Sequence, residues 1–197
     1  PRLMRIMYIM LNKRYIFGTI ILLGATLNAY GDESALLEKS RQITAEYATL
    51  LQAALQSAMV TGGPVAAINV CAEIAPQIAS DLSRASGAKV RRTSLRFRNP
   101  GNAPDSWEAR ALERLDATDA PEIFEPDAFG GARYAKPIPT AAVCLACHGE
   151  TLAPEIDAEL SEAYPHDRAR GFEVGDLRGA FSVSWPAGLD QDSGAPD

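Results

Sequence analysis

Residues 144–148 of the chain spell Cys-Leu-Ala-Cys-His, and the rest of the protein must fold around whatever these five residues bind. Two cysteines separated by two residues lie on one turn of helix, and the histidine that follows is carried to the same side. This order is typical of covalent haem attachment, in which both thiols form thioethers and the imidazole binds the iron. The whole chain has only three Cys and two His. We therefore predict one covalently bound haem c, with Cys144 and Cys147 as attachment points and His148 as an iron ligand.

Three other kinds of site use parts of this motif. A structural zinc site needs four ligands, so the Cys-x-x-Cys-His group would take a fourth from Cys71 or His166. A thioredoxin-like redox pair follows a buried strand, whereas Lys-Pro-Ile-Pro-Thr at 136–140 does not resemble one. A disulfide between the two cysteines of the motif leaves the adjacent histidine without a role. Haem attachment explains all three residues.

The N-terminus has the pattern of an export signal. A basic segment precedes an apolar run of 13 residues, Tyr15–Leu27, and small residues follow at Ala29 and Gly31. The run is shorter than the roughly 20 residues of a transmembrane helix. We therefore predict a signal peptide over residues 1–31 and a periplasmic location, because haem c is normally attached outside the cytoplasm. Since Leu-Asn-Ala at 27–29 fits a cleavage site poorly, an uncleaved membrane anchor is the alternative.

Charge and length describe the remainder of the chain. The 197 residues carry a net charge of −6, and without residues 1–31 there remain 25 acidic but only 15 basic residues, a net charge of −10. A chain of this size forms a single domain. We place that domain at residues 32–185, followed by a flexible acidic tail at 186–197. The sequence has no basic stripe typical of nucleic-acid binding, and contact with a membrane is expected only if the signal is not cleaved.

Hydrophobic periodicity predicts mainly helices in the first half of the domain and strands in the second. Apolar residues at three- and four-residue steps predict a long helix from Asp32 to about Val60, which Gly-Gly-Pro at 62–64 ends. Leading helices and trailing strands without a βα repeat indicate an α+β fold, with a small antiparallel sheet and flanking helices. The other predicted elements are a helix over 65–86 interrupted at Pro76, a strand over 89–98, a helix over 105–115, a loop over 123–131, a strand over 132–138, and a hairpin of 171–174 with 178–185.

The iron ligand opposite His148 has three main candidates, Met59, Cys71 and His166. The haem-binding motif uses two of the three cysteines and leaves Cys71 unpaired in an oxidising compartment. Thiolate ligation of haem is known, but a free cysteine is also often a small buried hydrophobe. Met59 stands near a helix end, and His166 lies in a polar stretch typical of a solvated loop. The residues alone leave the choice open, with Cys71 as the first candidate.

Other residues are candidates for contacts with the haem periphery. Strand alternation would put Arg92, Arg96 and Arg98 on one face, where their guanidinium groups suit haem propionates. A solvated, charge-rich strand face explains the same residues equally well. Tyr134 and Lys136 precede the haem-binding motif and are candidates to line the pocket.

Further stretches follow one another in a recognisable order over residues 40–185. They are Ala-Ile-Asn-Val-Cys at 67–71 with Ala75-Pro76, Val-Arg-Arg-Thr-Ser at 90–94, Arg-Asn-Pro-Gly-Asn at 98–102, Trp107-Glu108, Tyr134 with Pro137-Ile138, Cys-Leu-Ala-Cys-His-Gly at 144–149, Tyr164-Pro165 with Gly171, and Gly-Asp-Leu-Arg-Gly at 175–179. Together they resemble the family of exported single-haem c-type cytochromes with a PAS-like haem-binding domain, which also occurs as a sensor region of signalling proteins. The resemblance implies a PAS-like sheet around one haem c, with His148 and Cys71 as the two iron ligands.

Two functions from different classes are consistent with these features. The first is one-electron transfer or redox response by a small exported cytochrome. The alternative is haem-based sensing of redox state or of a gas, which a partner protein would detect. In either case the expected partner is a redox or signalling protein. We do not expect an enzyme, because an iron with both axial positions occupied has no open site for a substrate.

Overall fold

The structure is a computed structural model that describes the backbone of residues 2–187 and the side chains of residues 33–187. The predicted signal peptide at 1–31 and the part of the predicted tail beyond residue 187 lie outside the described side chains, so both stay predictions. The described chain combines a long N-terminal helix with a four-stranded antiparallel sheet. This architecture confirms the predicted α+β fold.

The first helix, α1 (Arg2–Asn69), has a sharp kink at Gly63. Gly63 has φ 67° and ψ −162°, a conformation essentially restricted to glycine, and Pro64 then starts the second arm with its fixed φ. This is the break that Gly-Gly-Pro predicts. The kink turns the chain back, so that the Tyr47 hydroxyl of the first arm donates over 2.8 Å to the carbonyl of Ala75, six residues beyond the end of α1. The arm before the kink buries side chains spaced three or four residues apart: Leu36, Ser40, Thr44, Tyr47 and Leu51.

A five-residue π-helical segment, Val70–Ile74, separates α1 from the next helix, α2 (Ala75–Ser86). Pro76 lies in the first turn of α2, where a missing N–H is tolerated because these groups have no helical acceptor. The sequence predicts a helix interrupted at Pro76. In the structure the interruption is the π-helical segment that ends two residues before this proline. Gly87 ends α2 with φ 76°, a left-handed conformation, and its N–H donates to the Ser83 carbonyl.

The sheet has its last strand in a central position. The strands and the helix that packs on the sheet have these bounds: β1 Lys89–Thr93, α3 Ser106–Thr118, β2 Ile123–Pro126, β3 Ala132–Pro139 and β4 Leu177–Trp185. Their order is β1-β4-β3-β2, and each neighbouring pair is antiparallel. Because side chains alternate along a strand, Phe181 and Val183 of β4 face α1 and α2, whereas Ala180 packs against α3.

The first strand is shorter than predicted, since β1 ends at Thr93. The next residue, Ser94, turns aside and its hydroxyl donates to the Arg178 carbonyl over 2.8 Å. Gly179 makes this close approach possible, because a Cβ at that position would collide with the Thr93 carbonyl oxygen. The strand over 89–98 is predicted from side chains that favour β-structure. The contact of Thr93 and Ser94 with Arg178 and Gly179 overrides this local preference.

Three further predictions are corrected. Arg92 lies on β1, but Arg96 and Arg98 come after its end, so the three do not share a strand face. The predicted loop over 123–131 contains β2, an edge strand that ends in proline, which an edge tolerates because no ladder hydrogen bond is lost. Residues 171–174 form no strand, and β4 pairs with β1 and β3 instead of with them.

Two short helices follow β3 in the chain. The last four residues of the Cys-x-x-Cys-His motif form α4 (Leu145–His148), a single turn, and Cys144 ends the 3-10 turn just before it. A further helix, α5 (Pro154–Ala163), was not predicted from the sequence. It begins with proline, which suits a first turn, and it buries Ile156 and Leu160 at a four-residue spacing against Ile68 of α1. These contacts hold α5 beside the haem-binding motif.

Candidate functional site

His148 is held in one orientation by a loop that follows α5. Its ring nitrogen Nδ1 lies 2.8 Å from the Ala169 carbonyl oxygen. Because a carbonyl only accepts hydrogen bonds, Nδ1 carries the proton and Nε2 keeps its lone pair. Burial, together with the positive charges of Arg178 and Arg98, lowers the pKa of His148 to about 3. The imidazole is therefore neutral, which is the form that ligates a metal.

The cysteines of the motif lie at the edge of an apolar cluster. Cys147 is half-buried and packs against Ile68, Ile156, Leu160 and Tyr164. Burial raises the pKa of the Cys147 thiol, Arg98 opposes this effect, and charges at Cys71 and Cys144 add to it. Cys71 and Cys144 therefore both lie close to Cys147. None of them forms a disulfide in the described part of the chain.

Cys71 lies in the π-helical segment between α1 and α2. Such segments interrupt the helical ladder and are frequent at functional sites. The neighbouring Ala72 packs on the same apolar cluster as Cys147. Burial raises the pKa of Tyr164, and the charge of Cys71 is the next largest cause. Cys71 therefore lies on the side of the site that carries the Cys-x-x-Cys-His motif.

The competing ligands are placed less favourably. His166 is exposed, and Met59 is half-buried close to the Gly63 kink. Among the residues whose side chains are described, no group of three or more His, Cys, Asp and Glu side chains is arranged to hold a metal ion.

Arg98 is buried and links the motif to the loop that holds His148. Its Nη2 donates to the Cys147 carbonyl over 2.6 Å and to the Ala169 carbonyl over 3.2 Å. Its Nε lies 3.1 Å from Oδ1 of Asp167, an ion pair in which both side chains are nearly inaccessible. Arg98 is therefore not part of a solvated, charge-rich strand face, which was the alternative interpretation of this arginine.

Two more guanidinium groups lie close to Arg98. Burial, together with the positive charges of Arg98 and Arg92, lowers the pKa of Arg178 to about 10. Arg92 is half-buried, with Nη2 at 3.5 Å from the Cys71 carbonyl. Within residues 33–187, its buried Nε has no hydrogen-bond partner. Of these three cations, only Arg98 has an ion-pair partner within residues 33–187, and that partner is Asp167. The site therefore carries excess positive charge, which favours an anionic ligand.

Phe172 supports the other side of His148. Its ring meets the imidazole edge-on, with centroids 6.2 Å apart, and its N–H donates to the His148 carbonyl over 2.9 Å. The guanidinium groups of Arg96 and Arg178 lie over the Phe172 ring at 3.8 and 5.1 Å from its centroid. Arg96 also donates to the Arg170 carbonyl. These contacts fix the imidazole between a carbonyl acceptor and an aromatic ring.

A haem c fits the donor set of this site. The two thiols of the motif suit the vinyl groups, and the neutral imidazole of His148 offers Nε2 to iron. The unpartnered Nε of Arg92 and the buried guanidinium of Arg178 suit the propionates, which are planar anions that arginine binds well.

Tyr134 has a different environment from the other predicted site residues. Its ring is fully buried in a cluster with Leu36, Val183 and Trp185, where α1 covers the sheet. Its hydroxyl donates to Oε2 of Glu122 over 2.8 Å. These contacts do not bring Tyr134 together with the haem-binding motif, so its role as a haem contact stays a prediction.

Sequence reasoning missed three groups at the site: Asp167, the Ala169 carbonyl and Arg178. The stretch around Asp167 was expected to be a solvated loop, but its carboxylate and Ala169 are buried. Asp167 accepts from the Ala169 N–H over 2.8 Å, a local turn that aspartate favours. The sequence shows that Asp167 is a residue type that favours turns. It does not show that Asp167 is buried against Arg98, which is far away in the chain.

Comparisons with known proteins place the chain in a family. The sequence model of the Tll0287-like family matches residues 25–186. The chain belongs to this family. The crystal structure of the cyanobacterial haem-protein Tll0287 is similar to this one with a TM-score of 0.63 and 32% sequence identity, covering 77% of this chain and 95% of that chain. No curated protein matches the sequence. The family assignment confirms the resemblance found from the sequence.

The buried ion pair of Asp167 predicts a pH-dependent stability. Burial acts to raise the pKa of Asp167, but hydrogen bonds from Arg98 and from the Ala169 N–H hold this pKa below its ordinary value. The stabilisation is therefore complete above the unfolded pKa of about 4 and is lost as the pH falls through the lower folded pKa. Asp167→Asn should lower the free energy of unfolding by about 3 kcal/mol at neutral pH, because it leaves Arg98 buried without its counter-ion.

Urea unfolding of the haem-loaded protein as a function of pH measures this effect. The difference between Asp167→Asn and the parent should shrink below about pH 4. Asp119→Asn is the control, because Asp119 is exposed at the end of α3 and should change stability by less than about 0.5 kcal/mol. A difference for Asp167→Asn that does not depend on pH would contradict the ion-pair explanation.

Proposed function

We propose that this protein is an exported mono-haem c-type cytochrome that works in one-electron transfer or redox response. The observation that carries the proposal is His148, a neutral imidazole fixed through Nδ1 in the Cys-x-x-Cys-His motif, with Cys71 nearby. The similarity to a protein described as a haem-protein supports haem as the ligand. The motif supports covalent attachment of one haem, since the chain has only one such motif.

Each residue of the site has a distinct task in this proposal. A bound haem supplies a one-electron couple at its iron. Cys144 and Cys147 would hold it covalently, and His148 and Cys71 would be the ligands of its iron. Arg92 and Arg178 neutralise the carboxylates of the propionates. Arg98 holds the motif against the loop that orients His148.

The proposed ligand pair favours a low reduction potential. A thiolate from Cys71 donates electron density and stabilises the oxidised state, because the axial ligand is a main determinant of potential. The buried guanidinium groups act in the opposite direction, since positive charge favours the more electron-rich state. The potential therefore depends on the balance between one thiolate and several fixed cations.

The alternative proposal is a haem-based redox or gas sensor that acts through a partner protein. The position of Cys71 favours it, because the π-helical segment lies between the kinked α1 and α2. Release of Cys71 from the iron would let this segment change its hydrogen bonding, and α1 would transmit the change. A partner that distinguishes the two states would make the change a signal.

Location, partners and the absence of catalysis belong to the same proposal. The basic and apolar pattern of residues 1–31 supports export to the periplasm. The net charge of −10 for the remaining chain disfavours nucleic acid as a partner, and the proposed haem is the reason to expect a redox or signalling protein instead. Two axial protein ligands leave no open iron site for a substrate, so we propose no enzymatic turnover.

Covalent attachment predicts a haem that survives denaturation. In-gel haem staining after denaturing electrophoresis should detect the wild-type protein. The double variant Cys144→Ala/Cys147→Ala should lose the stain because no thioether can form. Cys71→Ser is the matched control and should keep it. A protein that carries stoichiometric zinc and no haem would contradict the proposal.

Ligation by Cys71 predicts a change of spectrum and potential without loss of haem. Cys71→Ser should alter the low-spin ferric spectrum and raise the midpoint potential, because a strongly donating thiolate is removed. Met59→Leu and His166→Ala are the controls and should leave both quantities unchanged. The assignment is wrong if either control changes the spectrum and Cys71→Ser does not.

A carrier role predicts reversible electron exchange and slow ligand binding. Voltammetry of the haem-loaded protein should give a reversible wave. Carbon monoxide should bind the reduced protein slowly or weakly, because Cys71 must leave first. Fast, tight binding that changes association with a signalling partner would favour the sensor. Steady peroxide turnover at about 1–1000 per second, the typical enzymatic range, would contradict both functions.

A further inference from the structure

We propose that Arg98 is a positioning residue that sets how strongly His148 donates to iron, by sharing the Ala169 carbonyl with the His148 ring. The inference rests on the proposed ligation of iron by His148. It assigns to Arg98 a task other than contact with a haem propionate. That task is visible only in the folded protein, because Arg98, His148 and Ala169 are far apart in the sequence.

One carbonyl oxygen accepts two hydrogen bonds at this point. His148 Nδ1 donates to the Ala169 oxygen over 2.8 Å, and Arg98 Nη2 donates to the same oxygen over 3.2 Å. The same Nη2 donates over 2.6 Å to the carbonyl of Cys147, the residue immediately before His148. Arg98 thus contacts both the acceptor of the ring N–H and the backbone that carries the ring.

The surrounding residues hold Arg98 in this geometry. Asp167 lies 3.1 Å from its Nε, and the carboxylate of Asp167 also accepts the Ala169 N–H over 2.8 Å. Asp167 therefore holds both the guanidinium group of Arg98 and the backbone N–H of Ala169. Arg170 pairs with Asp167 at 3.0 Å from the opposite side. Because Arg98 is only 7% exposed, water is excluded from replacing its hydrogen bonds.

The shared carbonyl weakens the hydrogen bond of the ligand. A carbonyl that accepts from a guanidinium is a poorer acceptor for a second donor, so the Nδ1–H bond of His148 is less polarised. A less polarised Nδ1–H makes Nε2 a weaker donor to a metal, since second-shell acceptors raise the basicity of a ligating histidine. Arg98 therefore raises the reduction potential through the hydrogen bond, in addition to the effect of its positive charge.

Two substitutions at Arg98 separate the hydrogen bond from the charge. Arg98→Lys keeps the positive charge, but a single ammonium group does not reproduce the planar fork that reaches two carbonyls and Asp167. Arg98→Gln removes the charge as well. The control is Arg110→Gln, which removes one positive charge from an exposed position on α3. His148→Gly is included to establish that His148 is the iron ligand.

The experiment measures the midpoint potential of the purified haem-loaded variants and the exchange rate of the His148 Nδ1 proton by NMR in the reduced state. We expect Arg98→Lys to lower the potential and to slow exchange of the Nδ1 proton, because Ala169 then accepts from His148 alone. Arg98→Gln should lower the potential further, and Arg110→Gln should change neither quantity. The low-spin spectrum should persist in Arg98→Lys, since both iron ligands remain.

The outcomes separate this inference from the function on which it rests. If His148→Gly leaves the spectrum unchanged, His148 is not the ligand, and the proposed ligation and this inference both fail. If His148→Gly changes the spectrum but Arg98→Lys matches the parent in potential and exchange rate, only the inference fails, and Arg98 acts by charge alone. Should Arg98→Gln not fold, Arg98→Lys decides the question by itself.

Discussion

The hydrogen bond from His148 to the Ala169 carbonyl is the contact on which the geometry of the site depends. The helix that carries His148 is a single turn, too short to be stable on its own. Its position therefore comes from the loop after α5, which also donates from the Gly171 and Phe172 N–H groups to the Gly149 and His148 carbonyls. The loop and the motif form one backbone-bonded unit, and the orientation of the imidazole is a property of that unit.

The second constraint is the amount of buried positive charge. A chain with a net charge of −6 places several arginines around its buried histidine, with Asp167 as the buried carboxylate among them. Buried cations are costly unless they are paired, and Asp167 is already shared between Arg98 and Arg170. Arg92 and Arg178 have no carboxylate partner within residues 33–187, which fits their proposed role in binding an anionic ligand. The charge distribution thus matches a dianionic cofactor independently of the cysteine motif.

The sequence predicts local features well and long-range contacts poorly. The helical turn of the Cys-x-x-Cys-His motif, the long helix and its break at Gly63-Pro64 follow from spacing and from backbone restrictions that act within a few residues. β2 is a short edge strand, and α5 has only two buried apolar side chains at helical spacing, so both carry weak periodic signals. The Arg98–Asp167 pair joins segments about 70 residues apart, which no local pattern encodes. Cys71 was a candidate from the sequence because cysteine count is a global property of the chain.

The most informative wrong prediction is the strand over 89–98, because β1 ends at Thr93 and the residues that follow lead from the sheet to the site. If the strand continued through Arg98, the Arg98 side chain would point to one of the two faces of the sheet. Instead, Gly179 of β4 has no Cβ to collide with the Thr93 carbonyl, and the chain turns away at Ser94. This turn carries Arg98 out of the sheet and into contact with Ala169 and Cys147. The departure from strand propensity occurs where the chain has to deliver a guanidinium to the proposed iron ligand, and a local preference is expected to give way at such a functional position.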